Sequence, residues 1–186
     1  MDKRAVRRAC FSKIKSLSPE EKTAHSAAIV KHIAKTDAFL ESDCVFTFFA
    51  MPSEPDLAEL FHANPNKAWG FPRVGNDDRI AFHRVRSTSD FIKGEFGFLE
   101  PNPDVCPVLE PSEAGLILIP GVGFDPLTHA RIGRGKGHYD RYLGSTPPIS
   151  PLPMLFGVCF HIQLTSLSPD PHDVSMSSIF TEQGLA

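Results

Sequence analysis

The stretch Leu116 to Ile119 narrows the folds open to this chain more than any other. Consecutive apolar residues with no polar alternation suit a central strand covered on both faces, a position that arises when helices pack on each side of a parallel sheet. Other short runs fit the same sheet. Cys44 to Phe49 is β-branched and aromatic and reads as a buried strand; Ala68 to Phe71 and Ile80 to Val85 read as two more, joined by the turn-rich segment Arg73 to Asp78; Leu155 to Phe160 is the next.

Helical patterns lie between and before these runs. Residues Lys3 to Lys15 put Val6, Cys10 and Ile14 on one face and Lys3, Arg7 and Arg8 on the other. Ser18-Pro19-Glu20-Glu21 combines an N-cap serine, a proline at the first helical position and a glutamate three residues on, so a second helix is expected to about Lys35. Ser53 is placed to cap a helix from about Glu54 to His62, and Tyr139 to Leu143 should start one that Pro147 and Pro148 end. Phe91 to Pro111, rich in Pro, Gly and Phe, reads as irregular. Strands alternating with helices predict an α/β layered fold with a largely parallel sheet. A chain of 186 residues is near the size that fills one core, so a single domain over residues 1–186 is expected.

Composition excludes some function classes. The hydrophobic share of 41% and a formal charge of -3 are ordinary for a folded cytoplasmic protein and unlike a disordered chain. The apolar runs are far shorter than the roughly 20 residues a membrane-spanning helix requires, so no membrane association is expected. MDKRAVRRAC has basic residues but no apolar core of a secretory signal; an Arg-rich presequence would look similar, yet Ser18 and Pro19 already begin a capped helix. Cys10, Cys44, Cys106 and Cys159 form no CxxC pair, which points to reduced thiols behaving as small hydrophobes.

The chemistry is concentrated in Arg131-Ile132-Gly133-Arg134-Gly135-Lys136-Gly137-His138-Tyr139-Asp140-Arg141. Glycines let backbone amides approach a phosphate and adopt the positive φ angles that turn successive amides toward an anion. Arg134 and Lys136 add full charges, and a helix starting near His138 would aim its free amides at the same place. The loop follows an apolar central strand, and ligands of open α/β sheets bind outside the carboxyl ends of the strands. It matches neither the Walker loop nor the dinucleotide pattern. A solvated glycine-rich turn and an RNA-touching RGG-like segment are the alternatives; an acidic chain with no wider basic surface argues against nucleic acid. Asp140 is a Mg²⁺ candidate, since that ion takes one or two carboxylates with water and phosphates, and Asp173 is the chosen second carboxylate. A helix first-turn acid and a surface turn are their bland equivalents.

The run ILIPGVGFD followed by RIGRGKGHYDRYL resembles the hallmark of the 5-formyltetrahydrofolate cyclo-ligase family, with weaker landmarks in KRAVR, SEPDL, FPRV, GFLEP and PHD. The resemblance implies a three-layer α/β/α fold with a largely parallel, mixed central sheet, in which ATP, Mg²⁺ and a reduced folate meet in one cleft, and a monomer working on small molecules. It implies that Lys3, Arg4, Arg7 and residues 131–139 meet ATP. Arg7, Phe49, Glu54, Phe96, Arg134, Lys136 and His138 would meet the folate, Asp140 and Asp173 would hold Mg²⁺, and Arg134 and Lys136 would be catalytic. Without the resemblance, Lys3, Arg4 and Arg7 would read as a solvated helix face, Glu54 as a first-turn residue, and Phe49 and Phe96 as core. Two departures stand beside the loop: His138 occupies the first of two positions that are often aromatic, and residues 126–130 lack the turn glycine often found before Arg131. A protein of the same fold that binds nucleotide or folate without turnover is the alternative.

Overall fold

Alternate residues of the central strands face opposite ways, and that alternation builds two cores. In the computed structural model, which describes residues 2–75, 77–94, 97–145, 152–168, 170 and 173–186, the strands are β1 (Cys44–Phe46), β2 (Ala68–Val74), β3 (Ile80–Val85), β4 (Phe91–Lys93), β5 (Leu99–Pro101), β6 (Val108–Leu109), β7 (Leu116–Pro120), β8 (Gly123–Phe124), β9 (Arg131–Ile132), β10 (Met154–Val158), β11 (Ser178–Thr181) and β12 (Gly184–Leu185). Among the described residues the main sheet has eight strands in the order β12-β11-β10-β7-β1-β2-β3-β6. The run from β11 to β2 is parallel, while β12, β3 and β6 add antiparallel edges. The largely parallel, mixed sheet expected from the sequence is therefore present.

The helices are α1 (Lys3–Lys15), α2 (Pro19–Ile33), α3 (Asp37–Glu41), α4 (Ala58–Ala63) and α5 (His138–Ser145). Ile29 and Ile33 of α2, Phe39 of α3 and Leu60 and Phe61 of α4 pack with Val45, Trp69, Phe71, Leu116 and Leu118 on one face of the sheet. Cys44, Phe46, Ile117 and Ile119 point to the other face, where Tyr139, Tyr142 and Leu143 of α5 cover them. Helix α1 closes a smaller cluster through Cys10, packed with Val122 and Ile132. The α2 start is as predicted: Ser18 Oγ accepts from Glu21 N at 3.1 Å, and the Glu21 carboxylate accepts from Ser18 N at 2.7 Å. All four thiols are free and buried; burial pushes Cys44 up to about 11 and Cys159 well above the ordinary value, which leaves them unreactive. Among the described residues, no helix is long and apolar enough to cross a membrane.

Three local expectations are corrected. The helix predicted over residues 54–62 starts only at Ala58, with no side-chain cap, because Pro55 disfavours helical backbone at Glu54 and residues 51–54 instead close a turn, Glu54 N donating to Met51 O at 2.8 Å. Residues 91–111 are not irregular throughout: β4 and β5 pair as a hairpin and β6 joins the main sheet. The strand β11, the edge strand β12 and the short helix α3 were unforeseen, each being too short to display a period.

Candidate functional site

The chain order places β2 on one side of β1 and β7 on the other, so the direction of sheet growth reverses between β1 and β7. At such a switch point the connections leaving the two strands diverge and open a crevice at their carboxyl ends. The residues after β1, 47–57, form one lip. The residues after β7, running through the short β8–β9 ribbon into the glycine loop and α5, form the other.

The loop is held from below by a buried cation. The Arg131 side chain is 5% exposed, donates from Nη2 to Asp140 Oδ1 at 2.5 Å, and lies 5.6 Å from the Tyr139 ring centre. Arg131 therefore fastens the first turn of α5 rather than projecting from the loop. Ile132 is buried against Cys10 and Val122, so its backbone alone can face the crevice. From α1, Arg7 Nε donates to Gly133 O at 2.7 Å. Gly135 and Gly137 have φ of +100° and +68°, angles that side chains other than glycine rarely adopt, and these reversals bring the chain into α5. Burial pushes the Tyr139 phenol far up, with the charge of Glu54 adding to the effect, so it stays protonated.

Arg134 spans the crevice. Its Nε donates to Glu54 Oε1 at 3.2 Å, its Nη2 donates to Ser53 Oγ at 2.5 Å, and its guanidinium lies 5.4 Å from the Phe11 ring centre. Glu54, 9% exposed, uses its other oxygen to accept from Met51 N at 3.0 Å. Ser53, expected as a helix cap, is thus a partner of the loop. Lys136 and Arg4 are exposed, and their side chains make no hydrogen bond or ion pair with the described residues. His138 Nε2 meets Asp78 Oδ1 at 2.9 Å. That hydrogen bond, the foremost cause, holds the Asp78 carboxyl below its ordinary value.

On the other lip, Phe49 is 41% exposed and stands edge-on to Phe91, ring centres 4.9 Å apart. Phe49, Phe61, Phe71 and Phe91 line a cavity of about 130 Å³ together with Thr47. The Thr47 hydroxyl is buried without a hydrogen-bond partner among the described residues. Phe96 lies outside the described residues.

Each of the two expected metal ligands is engaged by a cation of the protein. Asp140 is paired with Arg131. Asp173 accepts from Lys3 Nζ at 3.2 Å, and Lys3 also donates to Asp170 at 2.6 Å. Among the described residues there is no group of three or more His, Cys, Asp and Glu side chains fit to hold a metal alone. A Mg²⁺ shared with phosphates needs only one or two carboxylates, and Asp140, with Oδ1 committed and Oδ2 remaining, fits that requirement.

Sequence reasoning did not single out Asp78, Phe11, Thr47 or Phe91, and it read Ser53 only as a helix cap. Asp78 meets His138 60 positions away and Ser53 meets Arg134 81 positions away, and the sequence gives no sign of such pairings. The missing turn glycine has a structural answer: His129 takes φ +55° itself, with Nδ1 3.0 Å from Met176 O and Met176 N donating back to His129 O at 2.9 Å.

A glycine loop bearing cations over the switch point of a mostly parallel sheet places the protein among α/β enzymes with a crevice for small molecules. More narrowly, the chain belongs to the 5-formyltetrahydrofolate cyclo-ligase family, whose model matches residues 1–182. It is 31% identical over 149 residues to the 5-formyltetrahydrofolate cyclo-ligase of Saccharomyces cerevisiae, covering 76% of this chain and 69% of that protein. It is 29% identical over 189 residues to the Mycoplasma pneumoniae enzyme of the same name, covering 98% and 100%. The solved structure of Aquifex aeolicus 5,10-methenyltetrahydrofolate synthetase superposes with a TM-score of 0.86 at 29% identity, over 100% of this chain and 92% of that one.

Proposed function

We propose that this chain converts 5-formyltetrahydrofolate to 5,10-methenyltetrahydrofolate, consuming ATP with Mg²⁺ and releasing ADP and phosphate. The observation that carries the reading is Arg134 bridging the glycine loop to Glu54 and Ser53, because it joins a polyphosphate cradle to the aromatic lip within one crevice. The formyl oxygen attacks the γ-phosphorus as the bond to ADP breaks, giving an imidate phosphate. Nitrogen-10 then attacks the activated carbon and closes the ring, and the carbon–oxygen bond breaks as phosphate leaves, the proton given up by nitrogen-10 departing with the phosphate.

In this reading the amides at 133–138 and the free Lys136 ammonium receive the phosphates. Arg134 exchanges Glu54 for the transferring phosphoryl group, which leaves the Glu54 carboxylate for N–H donors of the pterin. Catalysis of phosphoryl transfer is mostly positioning and charge stabilisation, which suits groups held this way. Mg²⁺, held by Asp140 and the nucleotide, would neutralise charge developing on the phosphate oxygens. Asp173 would join it once Lys3 turns to the nucleotide. A cavity of about 130 Å³ accepts a ring system rather than a whole folate, and the unpaired Thr47 hydroxyl supplies a polar contact among the rings. The remainder of the folate would follow the crevice.

The test is the appearance of the methenyl product's near-ultraviolet absorbance from 5-formyltetrahydrofolate, dependent on both ATP and Mg²⁺. Folded protein that gives no product, yet binds ATP or folate by calorimetry, would establish the binding-only alternative instead.

A further inference from the structure

The turn of the β2–β3 hairpin touches the glycine loop at three points. Asp78 Oδ1 meets His138 Nε2 at 2.9 Å, and Arg141 Nη2 donates both to Asp78 O at 2.7 Å and to Asp78 Oδ2 at 3.2 Å. The same guanidinium donates from Nη1 to the carbonyl of Lys136 at 2.6 Å. A continuous chain of hydrogen bonds thus runs from the hairpin, through Arg141, to the backbone of the residue proposed to hold phosphate.

The hairpin is a firm support. Val74 and Ile80 are the last paired residues, Gly75 N donates to Arg79 O at 2.8 Å, and Asp78 N donates to Gly75 O at 3.1 Å. Asp78 itself takes φ +58°. Aspartate tolerates this region better than most residues, but glycine would adopt it more freely. A carboxylate here is accounted for by what it touches. One of its partners, His138, is the residue that departs from the aromatic often found at that position.

We propose that Asp78 is a positioning residue for the nucleotide: by clamping His138 and Arg141 it fixes the backbone at Gly135 to His138, so that the loop meets the phosphates already shaped. The proposal rests on the reading of the loop as the ATP site. Asp78 itself touches no substrate. Its removal leaves the amides and Lys136 in place but lets the loop sample other shapes, which weakens nucleotide binding in proportion to the lost population of the competent one.

Steady-state kinetics of Asp78→Gly and Asp78→Asn, with thermal unfolding and ADP calorimetry, test this. Asp78→Gly is expected to raise the KM for ATP about fivefold, the scale set by exposed charged contacts, while kcat and the folate KM stay within about twofold. Its unfolding midpoint should not fall, because glycine accepts the left-handed backbone. Asp78→Asn keeps a neutral acceptor and should fall between the two. An unchanged KM for ATP, or equal rises in both KM values, overturns the assignment. Lys136→Ala is the control: if it weakens ADP binding while Asp78→Gly does not, the clamp alone is wrong; if neither does, the nucleotide reading of the loop falls and the clamp with it.

Discussion

The two lips of the crevice are built by different physics. On the glycine-loop side nearly every charge is engaged by protein: Arg131 with Asp140, Arg134 with Glu54, Arg141 with Asp78, Lys3 with Asp170 and Asp173. On the other side the phenylalanines are fixed by ring contacts, and the Thr47 hydroxyl is buried without a hydrogen-bond partner among the described residues. The first lip can exchange one partner for another at small net cost, because a phosphate can replace a carboxylate at a guanidinium. The second offers shape and apolar surface, which reward a flat ring and discriminate by fit. Charge substitutions in the glycine loop should therefore act through ATP, and volume substitutions among the phenylalanines through folate.

The largest effect is expected where the loop is anchored. Asp140→Ala leaves a buried guanidinium without its carboxylate, at a cost of about 3 kcal/mol in unfolding free energy by denaturant titration, and activity is lost with it. A variant as stable as the parent would show that Arg131 finds another partner. Next comes Lys136→Ala: its ammonium is exposed and makes no hydrogen bond or ion pair with the described residues, so the fold should be untouched while kcat/KM for ATP falls about 10- to 100-fold, as for one charge-assisted phosphate contact of about 1.5–3 kcal/mol. Equal loss against ATP and folate would break the division between the lips.

Acid should loosen the loop side before the aromatic side. Burial opposes the ionised Asp125, yet hydrogen bonds from Leu167 N, Leu127 N and Thr128 N outweigh it and hold the carboxyl low. A folded-state value below the unfolded one contributes stability above about pH 4 that is lost as pH falls through the folded value. Asp125→Asn should flatten that acid limb in unfolding curves measured from neutral to low pH. Across the crevice, Phe49→Ala removes an edge-on ring contact and should raise the folate KM about fivefold, with the ATP KM unchanged, a ring pair being worth about 1 kcal/mol. The smallest effect is at His129: His129→Gly relieves a left-handed backbone but forfeits the bond to Met176 O, leaving the unfolding free energy within about 1 kcal/mol of the parent by denaturant titration.

Sequence reading went furthest where the signal was local. The apolar run 116–119 determined a two-face-covered strand, Ser18 to Glu21 determined a helix start, and the glycines allowed the positive φ found at two of the three, just ahead of the helix expected near His138. Each of these follows from contacts within a few residues, or from a backbone that only some residues can adopt. Tertiary structure decided the partners. That Ser53 would serve Arg134 instead of a helix, that Arg131 would turn inward to Asp140, and that Asp78 would reach His138 across 60 positions depends on which strands become neighbours. A charged side chain is written in the sequence, but the group it neutralises is chosen by the sheet order, and that order carries no local signature.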